Sequence, residues 1–301
     1  MPAIKKRGRI LITGCSGFIG RAVVREALRQ GYRVNGLDLK DCSVKGIRFV
    51  KGDINDYGTV KRAIKRADRV IHLAAVTSNL EFYKDMRSSY NTNVGGFLNV
   101  INAAAISKCK SFIYASSAAV YLKESGFSEL AHIDIRKQGN HYAKTKLINE
   151  MIADSYEERY NMNSIGMRLF NVFGPGENQK GNYASIITIL LKMEKNGKPL
   201  LIYGDGSQSR DLIYVDDVAK ITLILLEKGK NSIYNVGTGR ANAYGHIADL
   251  IGPKHKKFVK NPLSSYQTYT KADTARLKKV IGKFNFIGLE QGIRNTKAEL
   301  G

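Results

Sequence analysis

Arg9-Ile10-Leu11-Ile12-Thr13-Gly14-Cys15-Ser16-Gly17-Phe18-Ile19-Gly20 is the stretch that decides the fold of this chain. Its first five residues are a short apolar, branched run that reads as a buried strand. Glycines then recur at 14, 17 and 20, and a helical stretch from Arg21 to Gln30 stops at Gly31, a natural C-terminal cap. The glycines permit a tight turn and close backbone approach, so a pyrophosphate can rest on the helix N-terminus. Their spacing is three and three, where the common dinucleotide fingerprint has two and three. The turn therefore draws its weight from the context around it.

That context runs for five strands. Arg33 to Leu37 reads as the second and ends at Asp38, an acid placed to accept hydrogen bonds from adenosine ribose hydroxyls and to repel a 2′-phosphate. No arginine follows directly and Lys40 is the nearby cation, so NAD is expected over NADP. Ile47 to Lys51 is the third strand; after it Asp53, beside Ile54, is expected to reach the adenine, and Asp56 to cap a helix. Arg69 to Leu73 is the fourth, opening into Ala74-Ala75, and Ser111 to Ser116 is the fifth. Helical patterns separate them, among them Asn91 to Lys108. Apolar strands alternating with helices mean an α/β fold: a doubly wound, parallel Rossmann sheet with a smaller C-terminal substrate-binding lobe. The expected boundaries are 1–170 for the NAD-binding domain and 171–301 for the lobe, with 211–228 folding back on the first.

Tyr142 and Lys146 stand four residues apart, on one face of a helix. At ~4 Å and an effective dielectric of ~20, an ammonium attracts a phenolate by roughly 4 kcal/mol. The pair is therefore expected to draw the phenol from about 10 towards neutrality. A tyrosine so tuned takes a proton from an alcohol while hydride leaves the carbinol carbon.

These features, with further signatures in order, resemble an extended short-chain dehydrogenase/reductase of the NAD-dependent epimerase/dehydratase family, and specifically the nucleotide-sugar 4-epimerases of UDP-glucose type. The resemblance runs from about residue 8 to about residue 295. It is carried by His72-Leu73-Ala74-Ala75, Asn91-Thr92-Asn93-Val94-Gly95, Ser116-Ser117-Ala118-Ala119-Val120-Tyr121 and Arg168-Leu169-Phe170-Asn171-Val172-Phe173-Gly174-Pro175. Tyr203-Gly204-Asp205-Gly206, Arg210-Asp211, Val215-Asp216-Asp217-Val218 and Tyr234-Asn235-Val236-Gly237 complete it.

The resemblance implies a catalytic triad of Ser117, Tyr142 and Lys146. It implies a cofactor site of Gly14, Ser16, Gly17, Phe18, Ile19 and Gly20, then Asp38, Asp53, Ile54, Leu73, Ala74, Ala75 and Asn93, shared with Tyr142 and Lys146. Ser117 and Asn171 would hydrogen-bond the substrate, Arg210 would pair with diphosphate oxygens through its guanidinium fork, and Tyr203 would pack near the nucleobase. Asp216 and Asp217 read as helix-starting residues rather than catalysts.

Departures from the family pattern narrow the chemistry. Family dehydratases carry an acidic pair directly after the catalytic Ser/Thr, to protonate and remove a C6 hydroxyl; here Ala118 and Ala119 neither donate nor accept a proton. Leu122 replaces the usual glycine, and Ile133 to Gln138 replaces the acidic, proline-rich stretch before the tyrosine. Between Asn261 and Asp273 no residue matches the family's C-terminal phosphate-binding arginine, leaving Lys256, Lys257 and Lys260 as stand-ins.

Composition sets the remaining bounds. At 301 residues the chain is long enough to bury a sizeable core. Its apolar runs are too short to span a bilayer, and Met1 to Arg9 is basic without a following signal-peptide core. Cysteines at 15, 42 and 109 have no CxxC spacing, which suits reduced thiols and a cytoplasmic location. The five histidines show no metal-ligand spacing. The net charge of +22 invites a nucleic-acid reading. Yet the clusters Lys5-Lys6-Arg7-Arg9 and Lys254-His255-Lys256-Lys257 lack interleaved aromatics, so a solvated basic surface that steers an anionic nucleotide sugar is expected instead. The resemblance implies a homodimer through two helices of each subunit, here 91–108 and 142–159, and both carry apolar stripes that such a contact would bury. The expected function is C4 epimerisation of a nucleotide-diphosphate sugar through transient oxidation. A 4-ketoreductase with the same triad, or a non-catalytic dinucleotide-binding protein, are the alternatives.

Overall fold

The computed structural model describes residues 7–122, 124–177, 184–260 and 267–300. The chain divides into two compact units. One comprises Met1–Leu122, His132–Arg168 and Ala219–Tyr234; the other comprises Lys123–Ala131, Leu169–Val218 and Asn235–Gly301.

From the N-terminus the elements are β1 (Arg9–Thr13), α1 (Phe18–Arg29), β2 (Arg33–Asp38), β3 (Arg48–Lys51), α2 (Tyr57–Ile64), β4 (Arg69–His72), α3 (Asn79–Lys84) and α4 (Met86–Tyr90). Next come α5 (Gly96–Ile106), β5 (Ser111–Ser117), α6 (His141–Tyr160), β6 (Asn163–Leu169), β7 (Asn171–Phe173), α7 (Ile186–Lys195), β8 (Leu200–Tyr203) and β9 (Ser209–Tyr214). The chain ends with α8 (Val215–Lys228), β10 (Ser232–Val236), β11 (Ala241–Ala243), α9 (Tyr244–Ile251), β12 (Lys256–Val259), α10 (Ala275–Ile281) and α11 (Leu289–Leu300).

The main sheet has seven strands in the order β10-β6-β5-β4-β1-β2-β3. β1 pairs in parallel with β2 and β4, and β3 and β5 extend the sheet in parallel on either side. This is the doubly wound order, whose switch point between β1 and β4 is where such sheets bind ligands. Ile10, Leu11 and Ile12 are all fully buried, so both faces of β1 are covered and an unbroken apolar run is what the position demands. Beneath the sheet Phe97, Phe112 and Tyr114 meet edge to face and tilted, with centroids 5.3–5.9 Å apart, among Leu11, Val70 and Ile101.

One expected helix differs. Asn91 to Lys108 is not a single α-helix: Asn91–Gly95 is a wider π-turn, and α5 begins at Gly96. Within that turn Asn93 accepts from the Val76 amide (2.8 Å) and donates to the Val76 carbonyl (2.9 Å). The wider turn is the kind of local departure found beside functional sites.

The second unit has its own core, in which Phe173, Ile187, Leu190, Ile202, Leu212 and Ile247 pack together. It holds a three-stranded sheet, β11-β9-β7, and a two-stranded one, β12-β8. Among the described residues no helix is long and apolar enough to cross a membrane.

Candidate active site

The glycine turn joins β1 to α1 at the carboxyl edge of the main sheet. Gly14 has φ +70°, and a Cβ there would lie 2.7 Å from the Ala74 backbone nitrogen. A Cβ on Gly20 would lie 1.9 Å from the Gly14 carbonyl oxygen, so helix and turn approach to a distance that only hydrogen permits. α1 starts at Gly17 with no side-chain cap, which turns the positive end of its dipole toward an anion. Asp38 ends β2 and takes the Ser16 amide on one carboxylate oxygen (2.9 Å) and the Lys40 amide on the other (3.1 Å). Asp53 accepts from the Asn55 amide (2.9 Å) and Asp56 caps α2 through the Gly58 amide (2.9 Å). Ile54 is buried and Leu73, Ala74 and Ala75 are half-buried. A close-packed glycine cradle, a helix N-terminus and a fixed carboxylate at the end of β2 suit pyrophosphate and ribose. Asn93 acts on this side through Val76, and its amide also donates to Thr145 (3.1 Å).

Ser117 ends β5 and starts a single 3₁₀ turn, Ala118–Val120, by accepting from the Ala119 amide (3.1 Å). Tyr142 lies in the first turn of α6, capped by Asn140 through the Ala143 amide (3.1 Å), with Ser117 near enough to act on its phenol. One turn later Lys146, 3% exposed, donates to the Ala115 carbonyl (2.8 Å) with its Nζ 5.5 Å from the Tyr142 ring centroid. The structure thus brings Ser117, Tyr142 and Lys146 together.

The electrostatics differ from the expectation. Burial raises the Tyr142 phenol above its ordinary value, with the Ser117 hydrogen bond opposing it, and no descent toward neutrality occurs. The reason is the burial of the phenol itself; burial also pulls Lys146 down, to about 8. Glu150 resists that fall.

Glu150 was not singled out by sequence, although it sits four residues after Lys146 on the same face. It is 7% exposed, grips Arg168 through two hydrogen bonds (3.0 and 2.7 Å) and accepts from Ser116 (2.5 Å). Arg168 in turn lies over the Tyr121 ring at 4.9 Å. His72, at the end of β4, is likewise buried, 2.8 Å from the Thr13 hydroxyl.

In the second unit Asn171 and Arg210 line one cavity of about 250 Å³, together with Glu177, Ser185 and Tyr244. The Arg210 guanidinium lies 5.6 Å from the Tyr244 ring centroid and donates to the Ser209 carbonyl (3.0 Å) and the Gln267 carbonyl. The Asn171 amide donates to the Asp211 carbonyl (2.9 Å). Glu177, 1% exposed, accepts from the Ser185 amide (2.9 Å) and hydroxyl (2.6 Å) and from the Thr188 hydroxyl (2.7 Å) at the start of α7. Tyr203 is 39% exposed on β8 and is not part of that cavity's lining. Asp211 binds the Thr238, Gly239 and Ala272 amides (2.8–3.0 Å), and Asp217, in the first turn of α8, takes the Ile287 amide (2.7 Å). Lys256 pairs with Asp249. Residues 1–6 and 261–266, which include Lys5, Lys6 and part of the stretch searched for a phosphate-binding arginine, lie outside the described residues. Among the described residues no cluster of His, Cys, Asp and Glu is placed to hold a metal ion.

Residues 10–237 match the family model described as the NAD dependent epimerase/dehydratase family. The chain is 31% identical to an ADP-L-glycero-D-manno-heptose-6-epimerase of Alkalilimnicola ehrlichii over 95% of each protein. Its fold matches the UDP-N-acetylglucosamine 4-epimerase of Methanobrevibacter ruminantium, solved with UDP-N-acetylmuramic acid, at a TM-score of 0.90 and 26% identity, covering 98% of this chain and 99% of that one. It matches the Thermus thermophilus UDP-glucose 4-epimerase, solved with NAD, at 0.83 and 26%, covering 97% and 98%.

Proposed function

The chain belongs to the NAD-dependent epimerase/dehydratase family, with NAD as its cofactor, and from that premise we propose that it is a nucleotide-sugar epimerase acting by transient oxidation at C4. The observation that carries this reading is the convergence of Ser117, Tyr142 and Lys146 beside a turn without acids at 118 and 119. When bound, NAD supplies a nicotinamide carbon that takes up hydride and gives it back. Tyr142 Oη takes the proton of the sugar hydroxyl, and Ser117 Oγ orients that hydroxyl and hydrogen-bonds the phenol. Lys146 holds the nicotinamide ribose hydroxyls and favours the phenolate as it charges. Gly14, Ser16, Gly17, Phe18, Ile19 and Gly20 cradle the pyrophosphate, Asp38 takes the adenosine ribose, and Asp53 and Ile54 flank the adenine, with Leu73, Ala74, Ala75 and Asn93 beside the nicotinamide half. In the second unit Arg210 and Asn171 hold the diphosphate, and Tyr203 meets the base.

The same helices propose a second copy as partner. A groove of about 720 Å³, lined by Arg87, Tyr90, Val94, Leu98 and Ile148 among others, runs along α4, the π-turn and α6, and Leu98 and Met151 are exposed beside it. A two-fold contact there would cover these side chains and brace the helix that carries Tyr142. Light scattering is expected to report twice the 33.4 kDa chain mass at moderate salt; the single mass would refute the dimer. The three cysteines are unpaired, in keeping with a cytoplasmic enzyme.

The test is a panel of UDP, GDP, dTDP and ADP sugars, screened by thermal shift and then followed by NMR for inversion at each ring and side-chain carbon. Inversion at C4 without net change in cofactor absorbance is expected, and Tyr142→Phe should abolish it while NAD stays bound. Stoichiometric loss of reduced cofactor would indicate a ketoreductase. Inversion at C6 of an ADP-heptose, the position named for the Alkalilimnicola relative, would move the chemistry off C4.

A further inference from the structure

Gln138 lies four residues before Tyr142, in the stretch that departs from the family pattern, and is 6% exposed. Its amide is fully engaged. Nε2 donates to the Ala119 carbonyl (3.1 Å) and the Val120 carbonyl (3.1 Å), while Oε1 accepts from the Asn140 amide (3.1 Å). Two carbonyls on one side and an amide on the other fix which way the carboxamide points. These partners belong to the two elements that matter for proton transfer. Ala119 and Val120 form the turn that Ser117 starts, and Asn140 is the N-cap of the helix that carries Tyr142. One buried amide therefore clips the Ser117 turn to the Tyr142 helix. A glutamate in its place would point an anion at two carbonyl oxygens, and an apolar side chain would leave two carbonyls, the Val120 one buried, and an amide without this partner.

We propose that Gln138 is a positioning residue that fixes the separation of Ser117 Oγ and Tyr142 Oη; this rests on the reading of Tyr142 as the proton-accepting group. The Ser117 hydrogen bond is what opposes the upward pull of burial on the Tyr142 phenol. A looser clip lets that phenol rise. The other ionisable neighbours are anchored elsewhere: Lys146 donates to the Ala115 carbonyl, and beyond it Glu150 pairs with Arg168.

The experiment compares Gln138→Leu, Ser117→Ala and the double variant, with unfolding midpoints recorded for each. The first readout is alkaline ultraviolet titration of the Tyr142 phenol, isolated in every background by subtracting the matching Tyr142→Phe protein; it needs no substrate. Gln138→Leu is expected to move the Tyr142 midpoint upward in the same sense as Ser117→Ala, and the double variant to move it no further. The second readout is the acid limb of the kcat/KM profile, expected to shift upward with the phenol. The proposal is overturned if Gln138→Leu lowers the unfolding midpoint yet leaves the Tyr142 titration in place, or if its shift persists undiminished beside Ser117→Ala. Should Gln138→Leu not fold, Gln138→Met replaces it, keeping the length of the side chain, losing both donors and adding no charge near the phenol. A wild-type protein that turns over no nucleotide sugar would defeat the epimerase reading alone, because the titration still reports on Gln138.

Discussion

Acid should destabilise this protein in part through one buried imidazole. His72 is 3% exposed, edge-on to Phe97 at 5.4 Å and stacked on Phe112 at 6.2 Å. Its Nδ1 lies 2.8 Å from the Thr13 hydroxyl, which also accepts from the Ala74 amide at 3.3 Å. A hydroxyl that accepts from that amide still has a proton to give, so it can donate to Nδ1 of a neutral ring. Burial, with a smaller push from Lys146, lowers its pKa from 6.5 to about 3. Between those values the unfolded chain holds a proton that the folded one lacks, so stability falls as pH falls through 6.5 toward 3. At about pH 5 the unfolded value lies ~1.5 units above the solution, which at ~1.4 kcal/mol per unit costs ~2 kcal/mol. Carboxylates drift in the same direction, so the assay must subtract them. Wild type and His72→Gln are unfolded in urea at about pH 8 and about pH 5; wild type should lose ~2 kcal/mol more than the variant over that span. Parallel losses in the two proteins, within ~0.5 kcal/mol, would show that the imidazole is not held neutral by its surroundings.

Two further outcomes follow from the cofactor turn. Gly20→Ala puts a methyl 1.9 Å from the Gly14 carbonyl oxygen and 2.9 Å from Cys15 Cα, both backbone, so calorimetry should report NAD affinity reduced by at least about tenfold, whereas unchanged affinity would mean the turn does not bind the pyrophosphate. Asp38→Ser removes the carboxylate that repels a 2′-phosphate and should narrow the preference for NAD over NADP by about tenfold or more; an unaltered ratio would take Asp38 out of ribose recognition.

The parts of the fold legible in the sequence are those set by local pattern. Ile10 to Ile12 had to be covered on both faces, and Gly14 and Gly20 mark backbone approaches that any side chain would block. Tyr142 and Lys146 were expected to meet from their spacing on one helix, whereas Ser117 was tied to them only by the family resemblance. What escaped depends on pairings that no spacing reports. Glu150 meets Ser116 and Arg168 across 34 and 18 positions, and His72 meets Thr13 across 59. The π-turn at Asn91–Gly95 was hidden because its residues suit an ordinary helix; the reach of Asn93 to Val76 belongs to tertiary context. The Tyr142 phenol was misjudged because the Coulomb argument omitted the desolvation of both groups.

The order in which the units are threaded has a consequence for biosynthesis. The first unit takes its last segment, Ala219–Tyr234, only after two of the second unit's three segments have been made, and edge strand β10 is the seventh of its sheet. On a ribosome β6 must therefore wait, with one edge open, while some sixty further residues emerge to supply its neighbour. No single cut in the chain yields either unit whole. Circular permutation, which keeps every segment, should be tolerated better than any truncation near residue 170, where a linear reading of the sequence would place the scissors.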